Sequence, residues 1–242
     1  MKNMPPENAL PLVLIPGFML DETLWDEVVE SLPATCEVHR ANLLEGQTLA
    51  QIARHVVASA PPRFVLVGFS LGGYVARSIV QQCPDRVAAL ILIATSLRED
   101  SPERQKAKQA AVDASAHGQF RGLSLAAIRQ SVHPQRAADN AVTGRIREMG
   151  ARMGHAVFAT QSLLTRADVG PHQIQCPTLV IAAAQDALRQ VEEAEALCGQ
   201  IPGARLEIIQ GSGHMIPLEQ PQVLAQLMMQ WLAAMPQASP LL

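Results

Sequence analysis

Ser70 sits in the run Gly68-Phe69-Ser70-Leu71-Gly72-Gly73, between an apolar stretch and a helical repeat, and a histidine and an aspartate suited to activate it follow later in the chain. A serine hydroxyl attacks a carbonyl only when a base takes its proton. A histidine does so best when a carboxylate orients its ring and stabilises the imidazolium. For a serine at a strand-to-helix turn, the partners are expected in the order Ser, Asp or Glu, His. Asp186 falls just after the apolar run 178–184, and His214 ends the loop Gln210-Gly211-Ser212-Gly213-His214 that follows the run 205–209. Glu99 and Asp100, after the run 87–93, are rivals of Asp186. The other histidines, His39, His55, His117, His133, His155 and His172, lack such a loop and are read as structural or solvated.

The site must also hold the negative charge that develops on the carbonyl oxygen. The Leu71 amide, at a predicted helix N-terminus, is one candidate donor. The Phe18 amide, just past Pro16-Gly17 at the end of the run 10–15, is the other. Glycine at 68 and 72 leaves the space that a serine in a sharp, strained turn needs. The chemistry these residues suit is two-step acyl transfer to water, with ester or lactone hydrolysis as the first expectation. Carbon–carbon bond hydrolysis of a diketone and perhydrolysis of a short acid are alternatives on the same residues. No His, Cys and carboxylate spacing suits a metal, and no cofactor is expected.

The elements that must position these residues are legible as alternating periodicities. Strand patterns at 10–15, 63–67, 87–93, 178–184 and 205–209, with a weaker one at 36–41, predict about six strands. Between them lie helical stripes: Leu24, Trp25, Val28, Val29 and Leu32 behind a capping Asp21; Leu49, Ile52, Ala53, Val56 and Val57 behind a Thr48/Gln51 capping box; and Leu71, Val75, Ile79 and Val80, closed by Pro84. Val223, Leu224, Leu227, Met228, Trp231 and Leu232 mark a last helix, and the Pro236–Pro240 tail is expected to fray. With 242 residues, 48% of them hydrophobic, the chain can bury one large core. The expectation is an α/β fold with a mostly parallel sheet and helices on both faces. Such a sheet gathers its ligand-facing loops at the carboxyl ends of its strands, so Ser70, Asp186 and His214 should converge.

The motifs LVLIPGF at 12–18, LVGFSLGGYVA at 66–76, CPTLVIAAAQDAL at 176–188 and GSGHMIPLEQP at 211–221 resemble the α/β-hydrolase superfamily, in its branch of short esterase-like and enol-lactonase-like proteins. The resemblance covers essentially the whole chain. It implies Ser70 as nucleophile, His214 as base, Asp186 as its partner, and the amides of Phe18 and Leu71 as the oxyanion hole. It also admits a ligand receptor of low turnover on the same fold. Two departures stand out: Pro16-Gly17 replaces the His-Gly often found there, and only nine residues precede the first strand, too few for the N-terminal hairpin of many relatives.

One stretch breaks the alternation. Residues 98–168 carry helical signals only, beginning at Ser101-Pro102, and are expected to form a helical cap over a core made of 1–97 and 169–242. Met19, Met149, Met153 and Met215 are candidates for the wall of the substrate pocket. A net charge of −3 without basic runs argues against nucleic acid or a membrane surface as partner and leaves a small acyl substrate. The four cysteines show no paired spacing and are expected as reduced, buried thiols. The N-terminal apolar run is broken by Pro11, Pro16 and Gly17, a poor leader and a good strand, so the expected location is the cytoplasm.

Overall fold

The computed structural model describes residues 10–117, 119–166, 170 and 173–235. Each of the six patterns becomes a strand: β1 (Leu12–Ile15), β2 (Val38–Arg40), β3 (Phe64–Phe69), β4 (Val87–Ile93), β5 (Thr178–Ala183) and β6 (Arg205–Ile209). All pair in parallel, in the order β2-β1-β3-β4-β5-β6. Every residue of β1, β3 and β5 is buried, as expected of strands covered on both faces. The weak signal of β2 has a physical reason: it is a three-residue edge strand, half-exposed throughout or more.

The helices are α1 (Asp26–Glu30), α2 (Leu49–Ser59), α3 (Leu71–Gln82), α4 (Pro102–Ser115), α5 (Leu125–Ser131), α6 (Asn140–Leu163), α7 (Val191–Gly199), α8 (Ile216–Glu219) and α9 (Pro221–Ala234). Alternate side chains of the sheet feed two cores. On one face Leu14, Val67, Phe69 and Ile91 pack with Trp25, Leu224 and Met228; on the other Val13, Leu66 and Leu92 pack with Ile52, Val75 and Ile79. Helices α4 to α6 occupy the stretch between β4 and β5. Ser101 caps α4 by accepting from Arg104 N, and Pro102 takes the first helical position, where its missing N–H costs nothing. Such a cap contributes about 1 kcal/mol.

Local details depart from expectation in three places. Thr48 Oγ1 accepts from Gln51 N as the capping box requires, but Gln51 Oε1 returns to Gln47 N rather than to Thr48 N. Helix α6, inside the stretch read only as helical, is not one straight helix: Gly154, with φ +80°, breaks it into two. The cysteines, Cys36, Cys83, Cys176 and Cys198, are free but half-buried rather than buried; Cys36 and Cys176 lie in the loops ahead of β2 and β5, and Cys83 caps the end of α3. Asp168, expected to close the insertion, His172 and the 236–240 tail lie outside the described residues. Among the described residues, no helix is long and apolar enough to cross a membrane.

Candidate active site

Ser70 links the last residue of β3 to the first of α3 with φ +52° and ψ −111°, a conformation that residues bearing a Cβ rarely adopt. Its amide donates to Ile93 O at 2.8 Å, which anchors the turn to the end of β4. Its side chain does not cap α3, so the hydroxyl is left for other partners. The sharpness of the turn explains the flanking glycines. A Cβ on Gly68 would lie 2.5 Å from Gly72 O, and one on Gly72 would lie 2.5 Å from both Ile15 O and Pro16 O. The start of α3 therefore rests directly on the backbone leaving β1, and this brings the Leu71 and Phe18 turns together. Among the described residues, no hydrogen bond uses the N–H of Phe18 or of Leu71.

Asp186 and His214 reach Ser70 from the far side of the sheet. The loops after β5 and β6 are stitched to each other: Gln185 N donates to Ser212 O at 3.2 Å, and Gly211 N donates to Gln185 Oε1 at 2.8 Å. His214 Nδ1 lies 2.7 Å from Asp186 Oδ2, and His214 Nε2 lies 2.9 Å from Ser70 Oγ. The hydrogen-bond network assigns the proton to Nδ1, leaving Nε2 to accept from the serine. Asp186 Oδ1 accepts from Leu188 N at 2.7 Å and Arg189 N at 2.8 Å, so both oxygens of the carboxylate are held. Asp186 and His214 are nearly buried, and the Phe69 ring packs 5.2 Å from the imidazole. The arrangement can activate a serine for attack on a carbonyl.

The rival acids stand elsewhere. Asp100 pairs with Arg166 at 3.2 Å, with Arg104 at 3.4 Å and with Lys108, and Glu99 makes no described contact with His214. The other histidines have ordinary partners: His39 meets Glu37, His55 meets Glu45, His133 accepts from Gln135 N, His155 meets Ser115, and His117 is exposed. Met19, Met149, Met153 and Met215 are all buried, the first two completely. Half-buried aromatic rings lie at the Phe18 turn. Phe18 stacks on Phe158 at 5.9 Å, and Phe158 on Phe120 at 5.3 Å.

Two buried side chains, Glu219 and Gln161, bind backbone groups that periodicity does not reveal, most of them far along the chain. Glu219 accepts from Gly213 N at 2.9 Å and from His133 N at 2.6 Å, and so joins the His214 loop to the insertion. Gln161, on α6, accepts from Met19 N at 2.8 Å and donates to Leu43 O at 3.1 Å. Met215 N adds a bond to Ser131 O at 3.2 Å, and Arg152 of α6 pairs with Asp21 at 2.7 Å. The spacing of Glu219, five residues past His214, was the one signal available in advance. Among the described residues, no three His, Cys, Asp or Glu side chains are grouped as metal ligands.

A family profile described as the alpha/beta hydrolase family matches residues 12–227. A pimeloyl-[acyl-carrier protein] methyl ester esterase of Aromatoleum aromaticum is 28% identical over 237 residues, covering 89% of this chain and 95% of that protein. One of the same name from Vibrio parahaemolyticus is 41% identical, but over 93 residues, 35% of this chain and 36% of its own length. Among solved structures, a thermophilic esterase from Thermogutta terrifontis superposes with a TM-score of 0.80 at 28% identity, covering 93% of this chain and 90% of that one.

Proposed function

This chain belongs to the alpha/beta hydrolase family, and we propose that it is a serine esterase that cleaves a small carboxylic ester or lactone through an acyl-enzyme. The observation that carries this reading is the line of hydrogen-bonding atoms from Asp186 Oδ2 through His214 to Ser70 Oγ, with links of 2.7 and 2.9 Å. In the first step Ser70 Oγ attacks the carbonyl carbon while His214 Nε2 takes its proton. The electron pair of the carbonyl moves onto oxygen, where the Phe18 and Leu71 amides bind it. Collapse of this intermediate breaks the ester C–O bond, and the leaving alkoxide takes the proton from the imidazolium, which Asp186 stabilises. Water then attacks the acyl-serine by the same route and releases the acid.

The esterase names of the Aromatoleum and Thermogutta relatives support ester cleavage, and the methyl ester in the first name supports a small alcohol as leaving group. Helices α4 to α6 are read as a cap that walls the site, a role supported by the ties from Gln161, Arg152 and the Ser131–His133 backbone to the catalytic loops. The half-buried rings of Phe18, Phe158 and Phe120 favour an apolar acyl group. The four free thiols support the cytoplasm as site of action, on a diffusible substrate.

The test joins labelling to kinetics. A fluorophosphonate should label Ser70 alone, Ser70→Ala should lower ester hydrolysis by at least about 10⁴-fold with the fold intact, and Asp186→Asn by up to about 10⁴-fold. Full activity in Ser70→Ala would end the reading. Near-normal turnover of Asp186→Asn beside collapse of Asp100→Asn or Glu99→Gln would move the acid to the end of β4.

A further inference from the structure

The turn that carries the Phe18 amide is held open by a side chain from the insertion. Leu20 N donates to Gly17 O at 3.3 Å, which closes a four-residue turn with Phe18 and Met19 at its centre. Met19 has φ +57°. A positive φ at the third position of such a turn marks the form in which the central peptide is flipped, a form that glycine or asparagine adopts readily and methionine does not. The N–H of that central peptide belongs to Met19, and Gln161 Oε1 accepts from it at 2.8 Å. Gln161 Nε2 donates at 3.1 Å to Leu43 O, on the loop beyond β2.

Gln161 is completely buried and touches the turn across 142 positions of sequence. Its amide is matched at both ends, oxygen to an N–H and nitrogen to a C=O, so neither a flipped amide nor another residue of similar size satisfies both. Nothing else described holds the Met19 amide.

We propose that Gln161 is the positioning residue of the oxyanion hole, holding the strained Gly17–Leu20 turn so that the Phe18 N–H stays aimed at the carbonyl oxygen above Ser70. The proposal rests on the esterase reading and goes beyond it. Gln161 touches no reacting atom. Without its oxygen the central peptide is free to rotate toward the unstrained form of the turn, and the donor beside it loses its fixed direction. A donor that must reorient during the reaction loses most of its value, because stabilisation of the developing charge depends on dipoles already in place.

The experiment compares wild type with Gln161→Met, which removes both ties, and Gln161→Glu, which keeps an oxygen for Met19 N–H but offers no donor to Leu43 O. The readouts are kcat and KM for p-nitrophenyl acetate and the affinity of a phenylboronic acid, whose tetrahedral adduct on Ser70 places an oxygen where the oxyanion forms. The expected result is a fall in kcat of about 10²-fold for Gln161→Met and about tenfold for Gln161→Glu, boronate affinity falling in step and KM staying within about twofold. Wild-type kcat and boronate affinity in folded Gln161→Met overturn the proposal, as does a rise in KM with kcat unchanged. If Gln161→Met does not fold, Gln161→Glu decides by the same criteria. A wild type that hydrolyses no ester counts against the esterase reading, and boronate affinity across the variants then decides the role of Gln161.

Discussion

Glu219 holds the backbone of His133 at 2.6 Å, so a buried carboxylate five residues beyond the proposed base fastens the insertion to the loop that carries it. The same carboxylate accepts from Gly213 N at 2.9 Å, the residue next to His214. The two backbones also pack closely: a Cβ on Gly213 would lie 2.4 Å from His133 N. The insertion and the His214 loop are therefore tied through one side chain.

Replacing Glu219 by Ala would strand the buried Gly213 N–H and the partly buried His133 N–H at once. Leaving a buried donor unpaired costs about 1–3 kcal/mol, so Glu219→Ala should lose about 2–4 kcal/mol of unfolding free energy in urea titrations. Its residual folded population should turn over more slowly than wild type at unchanged KM, because the His214 loop is less well held. Glu219→Gln, which keeps one acceptor, should fall between. An unchanged urea midpoint in the alanine variant would show that these amides find other partners.

The aromatic rings beside Phe18 should read the acyl chain. Phe158→Ala removes the ring that bridges Phe18 and Phe120, and a lost aromatic contact of about 1.4 kcal/mol is about tenfold in affinity. Across p-nitrophenyl esters of increasing chain length, KM should rise about tenfold for long acyl groups and stay level for acetate. A uniform change across the series would assign the rings to packing alone.

The junction of β4 with the insertion should be acid-sensitive. Burial works to raise the Asp100 carboxyl, but the hydrogen bond from Lys108 and the charges of Arg166, Lys108 and Arg104 outweigh it and bring the group below the ordinary aspartate value. A carboxyl depressed in the folded state stabilises the protein above its unfolded pKa, near 4, and that stability is lost as pH falls through the lower folded value. Urea midpoints measured at pH 6 and at pH 3 should therefore separate more in wild type than in Asp100→Asn. Equal separations would remove Asp100 from the acid response.

The sheet was legible because β1, β3, β4 and β5 are nearly unbroken apolar runs, as burial on both faces requires, and because each ends ahead of a glycine- or aspartate-bearing loop. That pattern alone implies that Ser70, Asp186 and His214 meet at one rim, and they lie within hydrogen-bonding distance there. Gln161 and Glu219 were not legible, since each satisfies at least one backbone amide distant in the chain, and a polar residue on a helix gives no sign of being buried until the partner arrives. The break at Gly154 was hidden for a related reason: apolar spacing runs on across it from Met153 to Val157, and one glycine inside a helical repeat is more often tolerated than not. The aromatic contact of Phe18 with Phe158 depends on how the second half of α6 turns after that break, which periodicity does not encode.

The Ser70–His214 hydrogen bond spans 144 positions of sequence. Strands β1, β3 and β4 can pair before β6 joins them, so the elbow is expected to form first and the base to arrive only after a long loop has closed. Refolding from denaturant should therefore pass through a species with a formed sheet centre and an inert serine, in which recovery of hydrolysis lags recovery of helix and strand signals.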